Sequence, residues 1–131
     1  MNKRRVAITG LGAVSPLGND VQSTWKNLLA GQSGIAEIQQ FDASCFPTRI
    51  AAEVKSFQPS VVANGRHGRF AMSFSQYALE AAHQAFSDAG ILPERHTADR
   101  WGVVVGSGMM TAEFDYLQRF QQACAKDGAI D

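Results

Sequence analysis

The segment Arg5-Val-Ala-Ile-Thr-Gly-Leu-Gly-Ala-Val-Ser-Pro-Leu-Gly-Asn-Asp20 constrains the fold more than any other part of this chain. A short apolar, β-branched run enters a cluster of glycines and a proline, and residues that cap helices follow at once. Strand, turn and helix in that order open an α/β protein. The glycines have the look of a dinucleotide fingerprint, but Ser15 stands where the third glycine of G-x-G-x-x-G belongs, and Pro16 follows it. The pattern alone therefore gives little support for a nucleotide cofactor.

The remaining elements can be placed from their spacing. Asn19 or Asp20 caps a first helix that carries Val21, Trp25, Leu28 and Leu29 on one face, and Gly31 ends it. From Gln32 to about Asn64 the pattern is irregular, interrupted by Gly34, Pro47 and Pro59, with Arg49 to Val54 as the one candidate strand. Phe70, Phe74, Tyr77, Ala78, Ala81, Ala85 and Phe86 form a helical stripe that stops at Ala89-Gly90. Its alanines predict close packing against another element. Trp101 to Gly106 is a continuous apolar run, as expected of a strand covered on both faces of a parallel sheet. After the Gly106-Ser107-Gly108 turn, Phe114, Leu117, Phe120, Gln121 and Cys124 predict a third helix closing at Asp127-Gly128.

Val6–Thr9 and Trp101–Gly106 are then the two convincing central strands, and each needs paired neighbours on both edges and helices above and below. Two strands cannot meet that demand, so residues 1–131 read as the opening of a larger α/β sheet.

Composition narrows the partners. Twelve Lys and Arg balance twelve Asp and Glu, which leaves no net field to gather phosphates and points away from nucleic acid. No apolar run approaches the roughly 20 residues of a membrane span. The basic start followed by Val6 to Val14 imitates a secretion signal, but Gly10 and Gly12 break the run and a helix cap follows, so a cytoplasmic protein is expected. Cys45 and Cys124 are too few and too far apart for a disulfide framework or a thiolate zinc site. His67, His83 and His96 show no ligand spacing, and no metal is expected.

Val6-Ala-Ile-Thr-Gly-Leu-Gly-Ala-Val-Ser-Pro-Leu-Gly-Asn19, Thr24-Trp25 with Leu28-Leu-Ala-Gly-Gln-Ser-Gly-Ile35, Phe41-Asp42 and Gly102-Val-Val-Val-Gly-Ser-Gly108 together resemble the N-terminal part of the β-ketoacyl-[acyl-carrier-protein] synthases. These are the elongating condensing enzymes of type II fatty-acid synthesis, and the likeness is to the synthase II kind. The resemblance implies a thiolase-like fold, layered α-β-α-β-α, with residues 1–131 as the first part of its N-terminal half and a homodimer as the usual assembly. It implies a decarboxylating Claisen condensation of an acyl group with malonyl-acyl-carrier protein, using a cysteine and two histidines and no cofactor.

None of those three catalytic residues has a matching position here. They are expected beyond Asp131, and residues 1–131 alone are expected to be inactive. Cys124 does not stand in for the nucleophile, because it falls in the last turn of its predicted helix, where the dipole disfavours a thiolate. Cys45 reads as a packed or surface thiol.

Two sites carry over from the resemblance. Arg66 and Arg69 match basic positions that help dock the acidic carrier protein, although Phe70 departs from the pattern where another base is common. Met109, after the Gly-Ser-Gly turn, matches the position set against the acyl-chain tunnel, which suits a flexible apolar side chain. Met72 replaces a common acidic residue and leaves the subgroup open. The alternatives are a catalytically silent partner subunit of a polyketide or fatty-acid synthase, and a Rossmann-type oxidoreductase.

Overall fold

Helix α1 (Val21–Leu29) begins where the sequence caps it. Asp20 adopts an extended backbone and accepts a 2.7 Å hydrogen bond from the Ser23 N–H, satisfying one of the helix's orphan donors. At the other end the Gly31 N–H donates to the Leu28 carbonyl and the Gln32 N–H to the Asn27 carbonyl, the paired bonds of a Schellman ending. That ending needs a left-handed residue, and Gly31 supplies it at φ 65°.

This computed structural model describes residues 4–60, 71–108, 116–119 and 121–122. The chain divides into two compact units, Met1–Leu92 and Pro93–Asp131.

In the first unit, the irregular stretch after α1 contains a small antiparallel pair, β1 (Ala36–Glu37) and β2 (Ile50–Ala51), with Ala36 opposite Ala51 and Glu37 opposite Ile50. The candidate strand at Arg49–Val54 is thus reduced to two residues, and its partner β1 was not legible beforehand. The Glu53 carboxylate extends the closure by accepting from the Gln39 N–H at 3.0 Å and the Gln40 N–H at 3.3 Å. Inside the loop so closed, the Phe41 and Phe46 rings meet edge to face at 5.7 Å. Ala43, 8% exposed, is the one buried residue among those described.

Helix α2 (Ser73–Ala89) follows the predicted stripe and ends at Gly90, which is left-handed at φ 63°. Phe70, the first residue of that stripe, lies outside the described residues. The alanines pack as expected, against the N-terminal glycine segment. A Cβ on Gly12 would collide with the Ala81 carbonyl oxygen and lie 2.9 Å from the Ala85 nitrogen; one on Gly10 would lie 2.7 Å from the Ala89 nitrogen.

The two expected central strands are not strands among the described residues. Val6–Thr9 and Trp101–Gly106 are without assigned ladder bonds, and Val6 is 95% exposed and Val104 fully exposed. The physical reason is the one the pattern implies: a strand apolar on both faces is held by neighbours on its edges and layers over its faces, and among the described residues neither run is paired with another strand.

In the second unit the segment Arg95–Arg100 forms a 3-10 helix. Glu94 caps it in a capping box with Thr97. Residues 116–119 and 121–122 are helical, in agreement with the third predicted helix, whose other residues lie outside the described set. No helix among the described residues is long and apolar enough to cross a membrane.

Candidate functional site

The conserved geometry of a phosphate-binding loop needs free backbone N–H groups at its glycines. Here the amides that follow the two glycines are already used. The Leu11 N–H donates to the Asp88 carboxylate at 2.9 Å and the Ala13 N–H to the Gln84 side-chain oxygen at 3.1 Å. Leu11 and Ala13 are alternate residues of an extended segment, roughly 6.6 Å apart. Gln84 and Asp88 are one turn apart on α2, roughly 6 Å along its axis. The two spacings agree, so the helix side chains serve as a ladder for the segment while Gly10 sits down on Ala85 and Ala89 and Gly12 on Ala81 and Ala85.

This arrangement speaks against the oxidoreductase alternative. A carboxylate stands at the amide a pyrophosphate would require, and helix backbone fills the space the glycines leave open. The signal that could have revealed it was the polar pair Gln84 and Asp88 interleaved with Ala81, Ala85 and Ala89 along the helix.

Beyond Ala13 the chain forms a tight loop. Ser15 and Gly18 exchange backbone hydrogen bonds at 2.8 and 3.1 Å. From α1, the Thr24 hydroxyl donates to the Gly18 carbonyl and the Asn27 amide to the Leu17 carbonyl. The Asn19 side chain donates to the carbonyls of Lys55 and Ser56, the latter left-handed at φ 52°. The loop residues 15–19, with Asn27, Ser33 and Lys55, line an open polar cavity of about 280 Å³ in which Lys55 is the one charged side chain.

Three carboxyls are held below their ordinary values. For Asp20 the main cause is the Ser23 N–H, and for Asp42 the Ser44 N–H. Burial pushes the Glu80 carboxyl up, but hydrogen bonds from the Ser60 hydroxyl and N–H, with His83 nearby, together outweigh it. These are structural roles, none of them pointing at a shared reaction centre.

Arg66, Arg69 and Met109 lie outside the described residues, as do His67 and Cys124. Cys45 is an exposed free thiol. His96, which shows no ligand spacing in the sequence, lies 3.2 Å from Glu94, with both side chains mostly exposed. Among the described residues no group of His, Cys, Asp and Glu could hold a metal ion.

Comparison with known proteins agrees with the motif reading. The family model "Beta-ketoacyl synthase, N-terminal domain" matches residues 3–129. The 3-oxoacyl-[acyl-carrier-protein] synthase 2 of Coxiella burnetii is 52% identical over 109 residues, 83% of this chain and 26% of that protein. The enzymes of the same name from Vibrio cholerae and Staphylococcus aureus are 46% and 42% identical over 83% and 81% of this chain, again covering 26% of each relative. The chain thus spans about a quarter of the length of the curated relatives it matches. A solved structure, "The ishigamide ketosynthase/chain length factor", aligns with a TM-score of 0.53 at 36% identity, covering 69% of this chain and 22% of that one, and supports a fold of the ketosynthase type. With residues 3–129 of its 131 matched by the family model, the chain belongs to the β-ketoacyl synthase family, in the N-terminal domain.

Proposed function

We propose that this chain is the N-terminal part of a condensing enzyme of fatty-acid elongation. The observation that supports it most is the match over residues 3–129 combined with 52% identity to a 3-oxoacyl-[acyl-carrier-protein] synthase 2. In the reaction, a cysteine thiolate attacks the thioester carbonyl of acyl-carrier protein and expels the carrier thiol. Malonyl-carrier protein then loses carbon dioxide, and the electron pair of the broken bond attacks the acyl-enzyme carbonyl. The new carbon–carbon bond forms as the cysteine leaves, giving a 3-oxoacyl-carrier product.

In this reading the cysteine and two assisting histidines are supplied by sequence beyond residue 131, and residues 1–131 alone are inactive. The layered thiolase-like arrangement, the homodimer and the cytoplasmic location belong to the same proposal. So do its site assignments: Arg66 and Arg69 dock the carrier protein, and Met109 borders the acyl chain. The partner-subunit alternative is less favoured, because the relatives reported above are named as synthases.

The test supplies the full-length protein with acyl-carrier and malonyl-carrier protein and follows carbon dioxide release and the 3-oxoacyl product by mass spectrometry. Product formation that disappears when the nucleophilic cysteine is replaced by alanine is expected. A full-length protein with no cysteine at that position and no product would instead be the silent subunit.

A further inference from the structure

The geometry points to the Gln84 side-chain amide as a latch that closes the loop of residues 13–19 at both ends, so that this loop opens and closes as one unit under the control of α2. The inference concerns the conformation of the loop and does not depend on the condensing activity.

Gln84 accepts from the Ala13 N–H at 3.1 Å and donates through Nε2 to the Asn19 carbonyl at 2.7 Å. One planar group therefore spans the base of the loop. Its orientation is fixed by chemistry: turned over, the amide would set donor against donor at Ala13 and acceptor against acceptor at Asn19. The tip of the loop is held from the other side by Thr24 and Asn27 of α1. Base and tip thus depend on different helices, and among the described residues Gln84 is the one side chain hydrogen-bonded at both Ala13 and Asn19.

The neighbouring bond from Leu11 to Asp88 lies outside the latch. It shares α2 but not the loop, and so provides an internal control. Because residues 15–19 also wall the polar cavity beside Lys55, the latch sets how wide that cavity stands.

The test is hydrogen exchange on the full chain, read at residue level by mass spectrometry with electron-transfer fragmentation. Gln84→Leu keeps the bulk and removes both bonds, together with the amide's bond to the Glu80 carboxylate on the same helix. Gln84→Glu keeps the acceptor for Ala13 but turns an oxygen toward the Asn19 carbonyl. Loss of two such bonds is expected to speed exchange of the Ala13, Ser15 and Gly18 amides about tenfold or more. The Leu11 amide should stay within about twofold of its parent rate, since its own bond is intact. Asp88→Asn should leave Ser15 and Gly18 as they were. Should Gln84→Leu fail to fold, Gln84→Met is read in the same way. Unchanged exchange at Ser15 and Gly18, or acceleration spread evenly along α1 and α2, would overturn the latch.

Discussion

Gly12 lies directly against the Ala81 carbonyl of α2, with no room for a single added carbon between them. Such contact is possible only because the glycine has no Cβ and the helix presents alanine on that face. Gly12→Ala is expected to destabilise the protein by about 3 kcal/mol, the upper end for overpacking, since rigid backbone rather than a side-chain tip is in the way. Gly31→Ala is the useful contrast. It meets nothing within 4 Å and suffers only from the left-handed backbone, at a cost of about 1 kcal/mol. Denaturant unfolding of both variants measures the difference.

Asp20 links α1 to pH. Its carboxyl is held below the ordinary 3.8, first by the Ser23 N–H, so the folded form binds its proton less readily than the unfolded chain does. The stabilisation is present above about pH 4 and is lost as the pH falls through the folded value. Asp20→Asn keeps a capping side chain and should flatten this acid dependence. Asp20→Ala should cost about 1 kcal/mol at neutral pH, toward the lower end of cap effects because the site is exposed. Unfolding midpoints between pH 3 and pH 7 test both.

Ser56 is the one non-glycine residue among those described with a positive φ, at 52°. Its carbonyl is held by Asn19, and the next residue, Phe57, packs edge to face on Tyr77 at 4.8 Å. Ser56→Gly should raise stability by up to about 1 kcal/mol, and Ser56→Val should lower it by more than that. A lower melting temperature for the glycine variant would show the serine side chain to have a role of its own.

Arg66 and Arg69 are expected to act on encounter with an acidic carrier rather than on chemistry. Charge reversal to Glu at both should slow condensation of carrier-linked substrates about tenfold at low ionic strength and reduce the salt dependence. Small thioesters without the carrier should react as before. Equal losses on both substrate types would remove the docking role.

Met109 is expected to influence acyl length. In the full-length enzyme Met109→Ala should shift the product profile toward longer chains, read by mass spectrometry of the acyl products. An unchanged profile would assign the side chain to ordinary packing.

Local signals in the sequence proved the more legible. Asp20 as a cap, Gly31 and Gly90 as stops, and the alanine stripe of α2 each act through near neighbours or one dominant contact, and each lies where its residue type predicts. Val6–Thr9 and Trp101–Gly106 have the residue types of strands, but a strand is a relation between segments, and composition cannot supply the partner. The glycines show a related limit. Gly10-x-Gly12 states that something approaches the backbone closely, and only Gln84 and Asp88, more than seventy residues away in sequence, reveal that it is a helix and not a phosphate.

Glu53 has a consequence for how the family could vary. With one carboxylate gripping both Gln39 and Gln40, and Phe41 resting on Phe46, the excursion between β1 and β2 is fastened at its neck and furnished from within. Residues added at its outer tip would lengthen a tied-off lobe without disturbing the helices. That makes the tip a natural place for relatives to differ in length, and for a fluorophore or an affinity tag to be grafted.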